Sequence, residues 1–180
     1  MSAVLFDLDG VLTPTAEIHA RAWKETFDAF LTHRGIHPPF GELDYLTFVD
    51  GKPRDDGVRS FLASRGVKLP EGDPSDIPGD ESVCAVGNLK NAAFRRVLER
   101  DGIEPYLGSA RLLDALDKRS IPWAVVSSSK NAADVLEAAG LANRARAVVD
   151  GTVASAEGLP GKPDAAIFVR ATELLGLPPD

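Results

Sequence analysis

The chain carries bare apolar runs of strand length that stop abruptly, and this limits its fold more than any other feature. Ala3 to Leu8, apolar but for Asp7, breaks at Asp9-Gly10, Ile121 to Val126 gives way to Ser127-Ser128-Ser129-Lys130-Asn131, and Ala145 to Val149, which includes Arg146, reads as a third short strand. Short runs without polar alternation fit strands covered on both faces, as in a parallel sheet. Helical spacing separates the later runs. Ser109 is placed to cap a helix carrying Leu112, Leu113 and Leu116. A second helix holds Val135, Leu136 and Ala139 and ends at Gly140, and a last one covers Asp164 to Leu175. Strands alternating with helices predict parallel βαβ units and a Rossmann-like open α/β sheet.

The interval after the first run is different. Ala16, Ala20, Trp23, Phe27, Phe30 and Leu31 follow a helical stripe that starts near Pro14 and ends at Gly35. Val58, Phe61, Leu62 and Arg65 mark a short helix stopped by Gly66. Leu69 to Gly79, with three prolines and two glycines, is a loop. Val83, Val86, Ala93, Phe94, Val97 and Leu98 support a second long helix, closed by Asp101-Gly102. The predicted organisation is an α/β core of residues 1–14 and 100–180, with a helical block of residues 15–99 inserted after the first strand. The aromatic stripe Trp23, Phe27 and Phe30 is expected to be the core of that block.

Charge and cysteine usage remove several function classes. Of the 180 residues, 27 are acidic and 20 basic, giving a net charge of −7. No excess of cations exists to pair with a nucleic-acid backbone or an anionic membrane, so neither partner is expected. The one cysteine, Cys84, excludes an internal disulfide framework and fits a reducing compartment. No stretch approaches the length of a membrane span, and Ala3-Val4-Leu5-Phe6 follows the N-terminus with no cationic flank, so the expected location is the cytoplasm.

In open parallel sheets ligands collect at the carboxyl ends of the strands, and the reactive residue types of this chain fall there. Asp7 and Asp9 close the first run, Ser127 closes the second, and Lys162 opens the last helix after the third. Carboxylates two residues apart in extended chain repel each other unless a cation lies between them, and Mg²⁺ is the natural one. One carboxylate can then attack phosphorus while the other moves protons. An isolated Asp-x-Asp also occurs in calcium loops, glycosyltransferases and ordinary turns.

The surrounding residues narrow this. Phe6-Asp7-Leu8-Asp9-Gly10-Val11-Leu12-Thr13 resembles the first motif of the haloacid dehalogenase-like phosphohydrolases. Val125-Val126-Ser127-Ser128-Ser129-Lys130-Asn131 resembles their second, and Gly161-Lys162-Pro163-Asp164 their third. Thr15-Ala16-Glu17, His19, Arg21-Ala22-Trp23 and Gly51-Lys52-Pro53-Arg54-Asp55 are similar to the β-phosphoglucomutase branch. The resemblance implies that Asp7 is the nucleophile and Asp9 the general acid/base, with Ser127 and Lys162 holding phosphoryl oxygens. It implies that Arg54, Lys90, Ser129, Lys130 and Asn131 line the sugar-phosphate site, with the neighbouring Ser128 a further candidate, and that Thr15 and His19 belong to the hinge and its coupling to Asp9. It also implies that Mg²⁺ is held by Asp7 and Asp9, the latter through its carbonyl, and that the helical block is a cap. Pro14 departs from the aspartate these mutases commonly carry there.

The resemblance implies a fourth motif as well, an acidic pair ending a further strand beside the first. The chain reaches Leu177-Pro178-Pro179-Asp180 where that strand should begin. The expectation is a core without its C-terminal strands and self-association through the bare edge of strand one. The expected activity is Mg²⁺-dependent phosphoryl transfer on a small-molecule sugar phosphate through an aspartyl-phosphate. A mutase would pass the group to another sugar hydroxyl and a phosphatase to water. A third reading is a non-catalytic module that binds sugar phosphate without turning it over.

Overall fold

The computed structural model describes residues 2–50 and 52–178; Gly51, Pro179 and Asp180, on which parts of the sequence reading fall, lie outside the described residues, as does Met1. Three strands, β1 (Val4–Phe6), β2 (Trp123–Val126) and β3 (Ala147–Val149), form a parallel sheet in the order β1-β2-β3. Val4 pairs with Trp123 and Phe6 with Val125, while Ala124 pairs with Ala147 and Val126 with Val149. All four residues of β2 are buried, which explains why its sequence shows no alternation.

Eight α-helices complete the described chain. They are α1 (Thr15–His33), the single turn α2 (Glu42–Asp44), α3 (Arg54–Ser64), α4 (Val83–Asp101), α5 (Leu107–Lys118), α6 (Ala132–Ala138), α7 (Gly151–Glu157) and α8 (Ala166–Leu174). A π-helical turn, Tyr45–Val49, continues α2. No helix among the described residues is long and apolar enough to cross a membrane.

The chain divides into two compact units, residues 1–16 with 101–180 and residues 17–100. In the first, α8 covers the sheet: Ile167 and Ala171 pack with Ala124, Val126 and Val149, and Leu5, Val153 and Phe168 border them. Phe6 meets Trp123 edge-on at 6.0 Å between ring centroids. The buried Trp123 keeps its indole N–H satisfied by donating to Asp117 Oδ1 at 2.9 Å. In the second unit the aromatic stripe is core, with Trp23, Phe27, Phe30, Phe40, Phe61 and Val86 in one cluster. Phe27 stacks on Trp23 at 4.9 Å and tilts against Phe61 at 4.2 Å.

One local expectation changes, and one helix is added. Ser109 does not cap α5, which starts two residues earlier at Leu107; the Ser109 hydroxyl instead donates to the Val11 carbonyl at 2.7 Å. Residues 151–157, where no apolar stripe marks a helix, form α7. Asp150 caps it by accepting from the N–H groups of Thr152 and Val153, both at 2.9 Å, and Gly158 ends it.

Candidate active site

The site of the first unit is assembled at the ends of its strands, by the turn that follows β1. Strand pairing stops at Phe6, and the Leu8 carbonyl then accepts from the N–H groups of Leu12 at 3.0 Å and Thr13 at 3.1 Å. Gly10 turns the chain at φ +76°, a conformation that L side chains rarely adopt. Leu8 and Leu12 are wholly buried beneath this turn, while Asp7 and Asp9 remain partly open. Apolar anchoring below thus presents two carboxylates above.

Each carboxylate has its own donors. Asp7 Oδ2 forms an ion pair with Lys162 Nζ at 2.9 Å, and Asp7 Oδ1 accepts from the Leu8 N–H at 2.7 Å. Asp9 Oδ1 accepts from the Thr15 hydroxyl at 2.6 Å, and Asp9 Oδ2 from the Ser127 hydroxyl at 3.0 Å. Lys162 is held from below by the Val126 carbonyl, to which it donates at 3.0 Å, and its ammonium lies 5.5 Å from the centre of the Phe168 ring. The two aspartates therefore differ in kind. Asp7 carries a 41% exposed side chain facing a cation, whereas Asp9 is locked by two hydroxyls.

The residues after β2 take distinct places. Ser127 is buried and its hydroxyl also accepts from the Ser129 N–H at 3.0 Å. Ser129 in turn accepts from the Asn131 N–H at 3.1 Å, and the Asn131 side chain is buried. Ser128 and Lys130 are exposed. The structure thus brings together Asp7, Asp9, Thr15, Ser127 and Lys162, with Ser129 and Asn131 one hydrogen bond further along. Thr15 is buried and its hydroxyl is committed to Asp9.

The remaining candidates lie in the second unit. Lys90 is 5% exposed, donates to His19 Nδ1 at 2.7 Å, and lies 5.2 Å from the ring centres of both Trp23 and Phe94. Phe94 also stacks on His19 at 4.5 Å. Burial, and then the Lys90 charge, pull the His19 pKa down to about 3, so the ring is neutral at pH 7 and accepts from the lysine. Arg54 opens α3, and its Nε donates to Asp55 Oδ1 at 3.3 Å. Phe168 and Gly87 escape the sequence reading, whereas Phe94 enters it only as a helix residue and Asp55 only as part of the segment around Arg54. Only the glycine left a trace, as an interruption inside an apolar helical pattern.

The depressed His19 pKa has a consequence for stability. Above pH 6.5 the ring is neutral in folded and unfolded chain alike. As pH falls from 6.5 towards 3 the unfolded chain takes up a proton that the folded chain refuses, so stability drops by about 1.4 kcal/mol per pH unit in that window. His19→Gln keeps an acceptor for Lys90 without the titration. Urea unfolding between pH 7 and 4 should show the parent losing stability faster than this variant. Parallel curves would show that His19 is not held neutral.

The donor set suits a hard cation. Mg²⁺ is commonly held by one or two carboxylates, with phosphate oxygens and water completing its shell. Asp7, the more open carboxylate, is that kind of ligand, and with both Asp9 carboxylate oxygens accepting from hydroxyls, Asp9 would add its backbone carbonyl. Among the described residues no group of three or more His, Cys, Asp or Glu side chains is placed to hold a metal by itself. The pair therefore fits a Mg²⁺ whose shell is shared with the substrate.

The haloacid dehalogenase-like hydrolase family matches residues 1–180. The β-phosphoglucomutase of Mycobacterium tuberculosis is 47% identical over 99% of this chain and 70% of its own length. That of Bacillus subtilis is 31% identical over 99% of this chain and 72% of its own. A CbbY variant of Rhodobacter sphaeroides, solved with xylulose 1,5-bisphosphate, superimposes with a TM-score of 0.68 at 21% identity, covering 98% of this chain and 73% of that one.

Proposed function

The chain belongs to the haloacid dehalogenase-like hydrolases, and from that premise we propose that it transfers phosphoryl groups on sugar phosphates through an acyl phosphate on Asp7, as a β-phosphoglucomutase. The observation that carries this reading is the division of labour between the two aspartates. Asp7 is open and paired with Lys162 at 2.9 Å, while Asp9 is fixed by Thr15 and Ser127. The 47% identity to a β-phosphoglucomutase supports the sugar-phosphate class and favours the mutase over the phosphatase.

The chemistry follows from those contacts. An oxygen of Asp7 attacks phosphorus, the bond from phosphorus to the sugar oxygen breaks, and Asp9 gives that oxygen its proton. In the second half Asp9 takes a proton from an incoming hydroxyl, whose oxygen attacks the acyl phosphate and frees Asp7. Lys162, anchored to Val126, keeps a positive charge beside the reacting oxygens and spends no energy reorienting. The Ser127 hydroxyl donates to Asp9 in this structure, and a phosphoryl oxygen is its alternative acceptor. Mg²⁺ bound by Asp7 and the Asp9 carbonyl would supply neutralisation of the non-bridging phosphoryl oxygens.

The second unit is the substrate-selecting part of this proposal. Arg54 presents a guanidinium suited to bidentate contact with a phosphate, and Lys90 adds a desolvated cation beside aromatic rings. Incubation with β-glucose 1-phosphate and Mg²⁺, followed by phosphorus NMR, tests the function. A new sugar-phosphate resonance is the expected result. Inorganic phosphate as the only product would establish a phosphatase, and no change in any resonance would support a binding module.

A further inference from the structure

We infer that Gly87 is a positioning residue for substrate binding: its missing side chain leaves the space in which the Arg54–Asp55 pair lies against α4. The inference rests on Arg54 being a phosphate anchor, as proposed above.

Gly87 sits within α4, in a run of buried residues from Val83 onward. A glycine inside a helix destabilises it by about 1 kcal/mol relative to alanine, so its place there calls for a local reason. The reason is on the facing helix. A Cβ built on Gly87 would stand 2.7 Å from Asp55 Oδ1 and 3.1 Å from Arg54 Nε. The first is closer than a real Cβ comes to an oxygen and the second is tighter than nearly all real Cβ contacts, so Asp55 must shift and Arg54 must give by a few tenths of an ångström.

The consequence falls on the direction of the guanidinium. Arg54 is the first residue of α3, and its Nε is tied to Asp55 Oδ1 at 3.3 Å. Among the described residues its two terminal nitrogens have no hydrogen-bond partner, so the outer fork stays open to an oxyanion. Asp55 fixes the stem, and the bare α4 backbone at Gly87 gives both side chains their seat. Bidentate contact with phosphate depends on the plane of the fork more than on its charge alone, so a methyl group that tilts the pair weakens binding without disturbing the core. The atom that clashes outright, Asp55 Oδ1, is the end of a flexible side chain, and alanine is the better helix former. Gly87→Ala should therefore fold at least as stably as the parent.

The experiment is calorimetric titration of β-glucose 1-phosphate into the parent, Gly87→Ala, Arg54→Ala and the double variant, with thermal unfolding of each. The expected result is a Kd raised about tenfold by Gly87→Ala, the scale of one charge-assisted hydrogen bond. Its Tm should be unchanged or higher. The double variant should bind no more weakly than Arg54→Ala alone, because the glycine acts only through the arginine. Unchanged affinity in Gly87→Ala, additive losses in the double variant, or a lowered Tm would each overturn the inference. Separately, a parent that does not bind, or an Arg54→Ala chain that binds like the parent, would reject the arginine as a phosphate anchor.

Discussion

Asp7→Asn should abolish turnover, by about three to six orders of magnitude, while leaving the fold intact. An amide in that place is a far poorer nucleophile towards phosphorus. Asp7 Oδ2 faces Lys162 and its Oδ1 is held by the Leu8 N–H, so the site is arranged around that carboxylate. Structurally the change is mild. The side chain is 41% exposed and its ion pair is partly open to water, so the pair contributes at most about 1 kcal/mol. The amide oxygen can still accept from Leu8. Sugar-phosphate turnover and thermal unfolding, measured together, check the prediction. Activity within tenfold of the parent would remove Asp7 from the nucleophile's role.

Asp9→Asn should also be severe, with turnover falling by about 10² to 10⁴ on a sugar phosphate. Two hydroxyls donate to this carboxylate, Thr15 at 2.6 Å and Ser127 at 3.0 Å. An asparagine offers one oxygen and one NH₂ group to the same pair, so one hydroxyl is left without its acceptor and the proton carrier is gone. The loss should depend on the leaving group. A sugar alkoxide needs a proton as it departs, whereas 4-nitrophenolate is stable without one, so the aryl ester should suffer less. Rates on β-glucose 1-phosphate and 4-nitrophenyl phosphate separate the two contributions. Equal losses on both would show that Asp9 orders the site and transfers no proton.

The strands were legible because burial on both faces leaves nothing but apolar residues, as in the fully buried β2. The end of β1 was not. Leu8 looks like a strand residue, yet its carbonyl is turned to close the loop through Leu12 and Thr13, and its side chain is buried under that loop. The start of α5 was hidden for a similar reason. Ser109 has the composition of a helix cap, but its partner is Val11, 98 residues away, and the Tyr106 N–H reaches the Leu12 carbonyl. Helix α7 is built of small residues with no apolar stripe, and only Asp150 before Gly-Thr-Val hinted at a helix start.

The candidate site follows the same rule. Residue types and motif order pointed to Asp7, Asp9, Ser127 and Lys162, and the structure brings the four together at strand ends. Who holds whom was a matter of tertiary structure. The sequence puts no mark on the bond from Ser127 to Asp9, which spans 118 positions, or on the Lys90–His19 contact, which spans 71. Likewise the seat for Arg54 depends on a glycine in a different helix, visible only once α3 and α4 are packed together.

The most direct test of phosphoryl transfer through Asp7 is to trap the acyl phosphate. The protein is mixed with β-glucose 1-phosphate and Mg²⁺, quenched in acid within the first turnover, reduced with borohydride and mapped by peptide mass spectrometry. Reduction of a single residue, Asp7, to homoserine is expected, in an amount that tracks the turnover rate, with none in Asp7→Asn. Turnover with an unmodified Asp7, or modification at another residue, would contradict it.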